Sequence, residues 1–391
     1  MRPEPVEGRP AVDPSTSSGR NPVGPVEVGP VAHGGHCVAR HEGRVIFVRH
    51  ALPGERVLLQ ITDDSHDRFW RADAVEVLAA SPDRADPPCP IARPGLCGGC
   101  DFQHAALPAQ RRLKTAVVAE QLRRLAGIRW TGEVAEVSTP ETADGLHWRT
   151  RMRYVTDEAG RVGLRAHRSH QVVPLPPGGC RIAAPGALSG EEGVVTEMAA
   201  GRRWAVDAAG FWQVHPAAAD TLVQAVLDGL RPEPAERALD LYAGVGLFAG
   251  ALADAGCRVW AVEGNRPAAA LAEQNLADVA DRVEVRAGRV ERVLRSLPQR
   301  IDLVVLDPPR TGAGRAVVAA LVARRPRAIA YVACDPAALA RDLATAADLG
   351  YRAEPITAYD VFPMTHHVEC VAILVPGSAT RVSPTPRWPD Q

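Results

Sequence analysis

The sequence has almost no lysine: Lys114 is the only one, and every other basic side chain apart from histidine is arginine. GC-rich coding produces such a bias, so the arginines alone do not argue for bidentate phosphate contacts. Aromatic residues make up only 5 %, and the formal charge is −1 with a pI of about 6.9. No whole-molecule field therefore marks a nucleic-acid partner, and any RNA surface has to be a local patch. No stretch approaches the ~20 apolar residues of a membrane-spanning helix, and the first residues lack an apolar signal core. A cytoplasmic protein with no membrane partner is the expectation. In that compartment eight cysteines argue against a disulfide framework. Closely spaced ones suggest metal binding, and isolated ones packing or catalysis.

What the chain does have is length and apolar content, 391 residues at 46 %, enough for two or three separate cores. Residues 1–25 are rich in Pro, Gly and Ser and read as an unstructured tail, as do 379–391. Across 26–80 the short runs R-V-I-F-V, R-V-L-L-Q-I and A-D-A-V-E-V-L, punctuated by Gly and Asp, predict a small antiparallel OB-like β-barrel. Barrels of this size often bind oligonucleotides. Residues 81–212 read as a central α+β domain that opens on a Pro- and Cys-rich stretch and a helix over Pro108–Ala126. Within it Arg149, Arg151 and Arg153 stand two apart, so a strand would align them on one face as a comb, with Arg165, His167, Arg168 and His170 close behind. From 213 to 378, Ala- and Leu-rich helical patterns alternate with strand-like runs, which predicts a doubly wound α/β (Rossmann-like) domain.

The chemistry concentrates in that last domain. In A-L-D-L-Y-A-G-V-G-L-F-A a strand runs into a glycine turn and a helix, where Gly244 and Gly246 let a ligand approach the backbone. Glu263 ends the next strand, 19 positions after Gly244, where a carboxylate can accept both ribose hydroxyls. That describes an adenosine site, though G-V-G-L-F-A also fits a dinucleotide turn. Asp240 before the glycines, D-P-P-R at Asp307 to Arg310, and the lack of a hydride-transfer constellation favour S-adenosylmethionine. The prolines of D-P-P-R are followed by no aromatic residue, which argues against exocyclic amino groups as targets.

Cys334, in A-Y-V-A-C-D-P, ends a predicted strand, and Asp335 and Pro336 start the helix after it. Ligands bind at the carboxyl ends of strands in such sheets. Carbon 5 of uracil is too weak a nucleophile to take a methyl group directly, but a thiolate added to carbon 6 places charge on carbon 5. The proton on carbon 5 must then leave, which requires a base. Glu369, in F-P-M-T-H-H-V-E-C-V-A-I-L, starts the last apolar strand, where a carboxylate needs a partner or a catalytic task.

These motifs resemble the bacterial RNA 5-methyluridine methyltransferase family, and its 23S ribosomal RNA branch in particular. F-W-Q-V-H-P, D-L-Y-A-G-V-G, L-D-P-P-R-T-G, Y-V-A-C-D-P and F-P-M-T-H-H-V-E follow in the family's order, within about residues 26–376. The resemblance implies a class I methyltransferase domain with Cys334 as nucleophile and Glu369 as base. It also implies that Gln213, Tyr242, Glu263 and Asp307 line the cofactor and uracil pocket. The barrel, with G-P-V-A-H-G-G-H-C-V-A-R, resembles the TRAM module that precedes this branch's core. Leu247, His215 and Asp335 stand where the family often has Asn, and R-A-G-R-V lacks the usual carboxylate or amide, although Glu291 lies close by.

Cys89, Cys97 and Cys100, with Cys180 far downstream, match cysteine ligation of an iron–sulfur cluster, and four-cysteine zinc is the chemical rival. The resemblance favours a 4Fe-4S cluster. The implied substrate is 23S rRNA, with transfer RNA as the alternative partner, acted on by a monomer. Two other classes stand beside this one: a vestigial RNA-binding or assembly factor, and a thiol acyltransferase pairing Cys334 with His366 or His367.

Overall fold

The structure, a computed structural model, describes residues 21–377. Both expected tails lie wholly or mostly outside those residues. The chain divides into two compact units, one formed by residues up to 106 together with 155–179, the other by 107–154 together with 180 onward. The stretch 81–212, read from the sequence as one central domain, is thus shared between them.

The first unit is built on a closed five-stranded barrel of Val23–Ala32, His36–His41, Arg44–Arg49, Arg56–Asp63 and Phe69–Ala79. Its first strand starts inside the stretch expected to be unstructured. Alternate residues point inward, as a two-residue period requires: Val26 and Val28, Ile46 and Val48, Val57, Leu59 and Ile61 are all buried. One pairing departs from the antiparallel expectation, since the third strand runs parallel to the fifth. Sequence alternation fixes which side chains face inward but not which strand lies alongside. Glu55, fully buried, accepts the Leu52 and Ser81 N–H groups and a two-pronged Arg84 guanidinium at 2.6 Å, tying residues 81–84 to the barrel.

The second unit is a mixed eight-stranded sheet in the order Val283–Ala287, Arg258–Glu263, Arg237–Leu241, Leu303–Leu306, Ala328–Ala333, Glu369–Pro376, Tyr351–Asp360, Val134–Glu136. The first five strands are parallel, and Glu369–Pro376 runs antiparallel to both its neighbours. Both faces of the central strands are covered, so Leu303–Leu306 and Ala328–Ala333 are buried throughout and neighbouring residues enter different cores. Leu303 and Val305 join Leu222, Val226 and Leu252, whereas Val304 and Leu306 join Leu339, Leu343 and helix Leu107–Ala126 through Val118 and Leu122. Strand order reverses beside Arg237–Leu241, which makes its carboxyl end the switch point where such sheets open a crevice.

The arginine comb does not form. The strand containing these residues is only Arg149–Arg151; Arg151 is turned into an ion pair with Glu197 at 3.0 Å, and Arg149 donates to the Arg151 carbonyl. The strand instead supports the segment that contains Gln213, because the Thr150 N–H and hydroxyl both donate to the Val214 carbonyl at 2.9 and 3.1 Å. Among the described residues no helix is long and apolar enough to cross a membrane.

Candidate active site

The expected site residues outside the cysteine set all fall in the second unit, most of them at strand ends beside the switch point. After Leu241 the chain turns through Tyr242, which takes a left-handed φ of 63°. A non-glycine residue held there marks a backbone shaped by its surroundings. Gly246, at φ 97°, begins helix Leu247–Asp254, and a Cβ added there would stand 2.8 Å from Leu276 Cδ1. Gly244 donates its N–H to Glu263 at 2.8 Å, and the other Glu263 oxygen accepts from the Asn265 N–H at 2.6 Å. The carboxylate expected to hold a ribose is thereby locked to the turn expected to hold the rest of an adenosine. An added Cβ at Gly244 would meet nothing within 4 Å, so the turn borders open space. These features fit an S-adenosylmethionine cradle.

Asp240 underlies the turn. It is fully buried, accepts the Ala249 N–H at 2.8 Å through one oxygen, and leaves its other oxygen without a hydrogen-bond partner among the described residues. Burial, reinforced by the nearby Asp307 and Glu263, pushes its carboxyl up to about 7. Asp307 follows Leu306, and burial pushes it up to about 7 as well. Tyr242 is driven up to about 12 by burial, then by Glu291 and Asp342. Glu291 thus bears on this site although it lies outside R-A-G-R-V. Gln213 is buried ahead of helix Ala218–Leu230. Two residues earlier Phe211 is 72 % exposed.

Cys334 directly follows strand Ala328–Ala333, and Glu369 opens the antiparallel strand paired with it, whose register ends at Ala333 against Cys370. Burial, then Glu369 and Asp307, pushes the Cys334 thiol up to about 12, and among the shifting groups only the Arg310 guanidinium draws it down. Glu369 is held well above the usual carboxylate range by burial and by Asp307, again opposed by Arg310. Its Oε1 has no hydrogen-bond partner among the described residues. Arg310 itself meets His367 at 3.2 Å. The sequence drew attention to D-P-P-R, but not to this pairing.

A clasp was also missed. Asp342 accepts from the Tyr331 hydroxyl at 2.6 Å and from the Ala313 and Gly314 N–H groups at 2.8 and 3.1 Å, fixing the loop after D-P-P-R. The available signal was a lone acid on the buried face of an alanine-rich helix. Two of the three departures from the family pattern make local hydrogen bonds to the backbone, one of them a helix cap. Asp335 accepts the Ala338 N–H at 2.7 Å as the cap of helix Pro336–Asp348, a bond an asparagine could also make. His215 Nδ1 accepts the Ala217 N–H at 3.1 Å, and burial lowers its pKa to about 4, so the ring stays neutral and can accept. Leu247 simply packs, buried, in the first helical position.

Cys89, Cys97 and Cys100 are buried in the first unit, and Cys180 belongs to the second. Among the described residues no group of three or more Cys, His, Asp or Glu side chains that could hold a metal ion is found, so a four-iron cluster is not shown.

Comparison with known proteins follows the same division. A family profile described as tRNA (Uracil-5-)-methyltransferase matches residues 205–376, and one described as TRAM domain matches residues 22–75. A Streptomyces avermitilis protein described as an RNA methyltransferase is 48 % identical over 427 residues, covering 90 % of this chain and 98 % of its own. A 23S rRNA (uracil(1939)-C(5))-methyltransferase of a Shewanella species is 29 % identical, with 87 % and 93 % covered. The crystal structure of Pyrococcus abyssi tRNA (uracil-54, C5)-methyltransferase with S-adenosyl-L-homocysteine superposes with a TM-score of 0.67 over 90 % of this chain at 21 % identity, a likeness of fold.

Proposed function

Because this chain belongs to the tRNA (uracil-5-)-methyltransferase family and has an N-terminal TRAM domain, we propose that it methylates carbon 5 of a uridine in 23S ribosomal RNA. The observation that carries the chemistry is Cys334 and Glu369 at the same end of two paired strands, in the sheet whose glycine turn is locked to Glu263. Bound S-adenosylmethionine supplies a methyl group on a positive sulfonium. Glu263 and the Gly244–Gly246 turn would hold its adenosine, with Gln213, Tyr242 and Asp307 lining the rest of the cofactor and uracil pocket. The Cys334 sulfur forms a bond to carbon 6, and the electron pair of the 5,6 double bond moves toward carbon 5 and its carbonyl. Arg310, whose guanidinium favours the ionised Cys334 thiol, supports this attack. Once carbon 5 carries the methyl group, Glu369 takes its proton. The 5,6 double bond then re-forms, and the thiolate leaves carbon 6.

A vestigial assembly factor would have no need of this pair, and acyl transfer would leave the glycine turn without a task. The choice of 23S rRNA over transfer RNA draws on the Shewanella relative and on the resemblance described above. The 4Fe-4S reading of Cys89, Cys97, Cys100 and Cys180 rests on spacing and resemblance alone, and no step is routed through a cluster. Mapping 5-methyluridine in ribosomal and transfer RNA from a strain lacking the gene tests the target. Loss of one 23S site is expected. Loss confined to transfer RNA would replace the substrate, and loss from neither would remove the function.

A further inference from the structure

Helix Leu107–Ala126 turns two polar side chains into the core: Gln110 is 0 % exposed and Lys114 1 %. Four residues apart, they share a face with Val118, where a helix that only packs would be apolar. Lys114 Nζ donates to Asp360 Oδ1 at 2.5 Å and to the Phe362 carbonyl at 3.0 Å, and Asp360 is itself 2 % exposed. Gln110 grips Met364 twice: its Oε1 accepts the Met364 N–H at 2.8 Å, and its Nε2 reaches the sulfur at 3.3 Å. Met364 has a left-handed φ of 66°, a conformation such a side chain keeps only when its surroundings impose it. Between the two anchors, the Thr365 hydroxyl and N–H donate to the Phe362 carbonyl at 2.9 and 3.2 Å.

These contacts fall on Asp360, the last residue of strand Tyr351–Asp360, and on the connection 361–368 that joins it to the strand Glu369 begins. Burying an ammonium and a carboxylate takes both out of water, and an apolar pair of similar volume commonly stabilises a fold as well. What the ion pair adds is direction. A lysine in a chain that otherwise uses arginine suits this place, because a compact ammonium can serve a carboxylate and a carbonyl in less space than a planar guanidinium.

We infer that Lys114, Asp360 and Gln110 are positioning residues for proton removal, holding the connection so that Glu369 reaches the proton on carbon 5. The inference rests on Glu369 being the base. None of these hydrogen bonds reaches Cys334, which sits between strand Ala328–Ala333 and the helix that Asp335 caps, so addition and methyl transfer should survive loss of the anchors.

The test pairs Lys114→Met with Asp360→Leu in one chain, which leaves no lone buried charge, and uses Gln110→Leu as a second variant. Substrates are ribosomal and transfer RNA from cells lacking the gene, with S-adenosylmethionine labelled in its methyl group. In folded variants turnover should fall about ten- to a hundredfold, the scale of a small misplacement of a reacting group. Trapping on 5-fluorouridine transcripts should match wild type, and a labelled covalent enzyme–RNA complex should accumulate on ordinary substrate. Wild-type turnover, or lost turnover without the labelled complex, would overturn the inference. Glu369→Gln run alongside separates the two ideas. If it gives the complex and the anchor variants do not, only the positioning fails; if it gives none, the base assignment fails and the inference with it.

Discussion

Cys334 with Glu369, and Cys89 with Cys97, Cys100 and Cys180, are two thiol sites legible in the sequence, and the fold treats them differently. Cys334 directly follows strand Ala328–Ala333 and Glu369 opens the strand paired with it, so both stand at the same end of one hydrogen-bonded ladder. The four cysteines lie outside the named strands and helices and belong to different units, and among the described residues no metal-holding group is found. A pair at strand ends is placed by backbone geometry; ligands on loops depend on what they bind.

Breaking the preorganised site should have the largest effect. Cys334→Ala is expected to abolish turnover while S-adenosylmethionine affinity, measured by calorimetry, stays within a few-fold, since the thiol attacks the base and need not touch the cofactor. Residual methylation in the alanine variant would remove the covalent mechanism. The loop-borne cysteines offer the counterpart. Protein purified without oxygen should carry iron and sulfide near about four each per chain. Cys180→Ser should lose both and melt earlier, yet still form the 5-fluorouridine adduct. Zinc without sulfide, or neither, would end the cluster reading.

A smaller effect sharpens the account of the thiol. With Cys334 pushed up to about 12, its thiolate fraction grows with pH through the neutral and mildly alkaline range, so single-turnover adduct formation should speed up from pH 7 to about 9. Asp335 is one of the charges raising that thiol, and its capping bond can be kept by asparagine. Asp335→Asn should therefore accelerate addition a few-fold at neutral pH with little change in melting temperature. A slower or unchanged rate would mean that Asp335 serves the helix alone.

The sequence and the structure agree best where function lies in a continuous stretch. D-L-Y-A-G-V-G predicted a glycine turn, and Gly246 holds a φ of 97° there that side-chain-bearing residues rarely adopt. The inward alternation of the barrel was legible too, whereas its parallel pairing of third and fifth strands was not, because period two says nothing about partners. Arg149, Arg151 and Arg153 had the spacing of a comb, but Glu197, far along the chain, claims Arg151. Lys114 and Asp360 are 246 positions apart, so nothing local could join them. Their only trace was a polar pair on a helix face that ought to be apolar.

The central claim is that Glu369 removes the proton from carbon 5 after Cys334 has added to carbon 6. Glu369→Gln, incubated with methyl-labelled S-adenosylmethionine and unmethylated RNA and then denatured, tests it directly. Addition and methyl transfer should proceed and elimination should stall, giving a slow-migrating enzyme–RNA band that carries the label. A folded variant that binds the cofactor and yields neither band nor label would contradict the claim and leave Glu369 as a structural carboxylate.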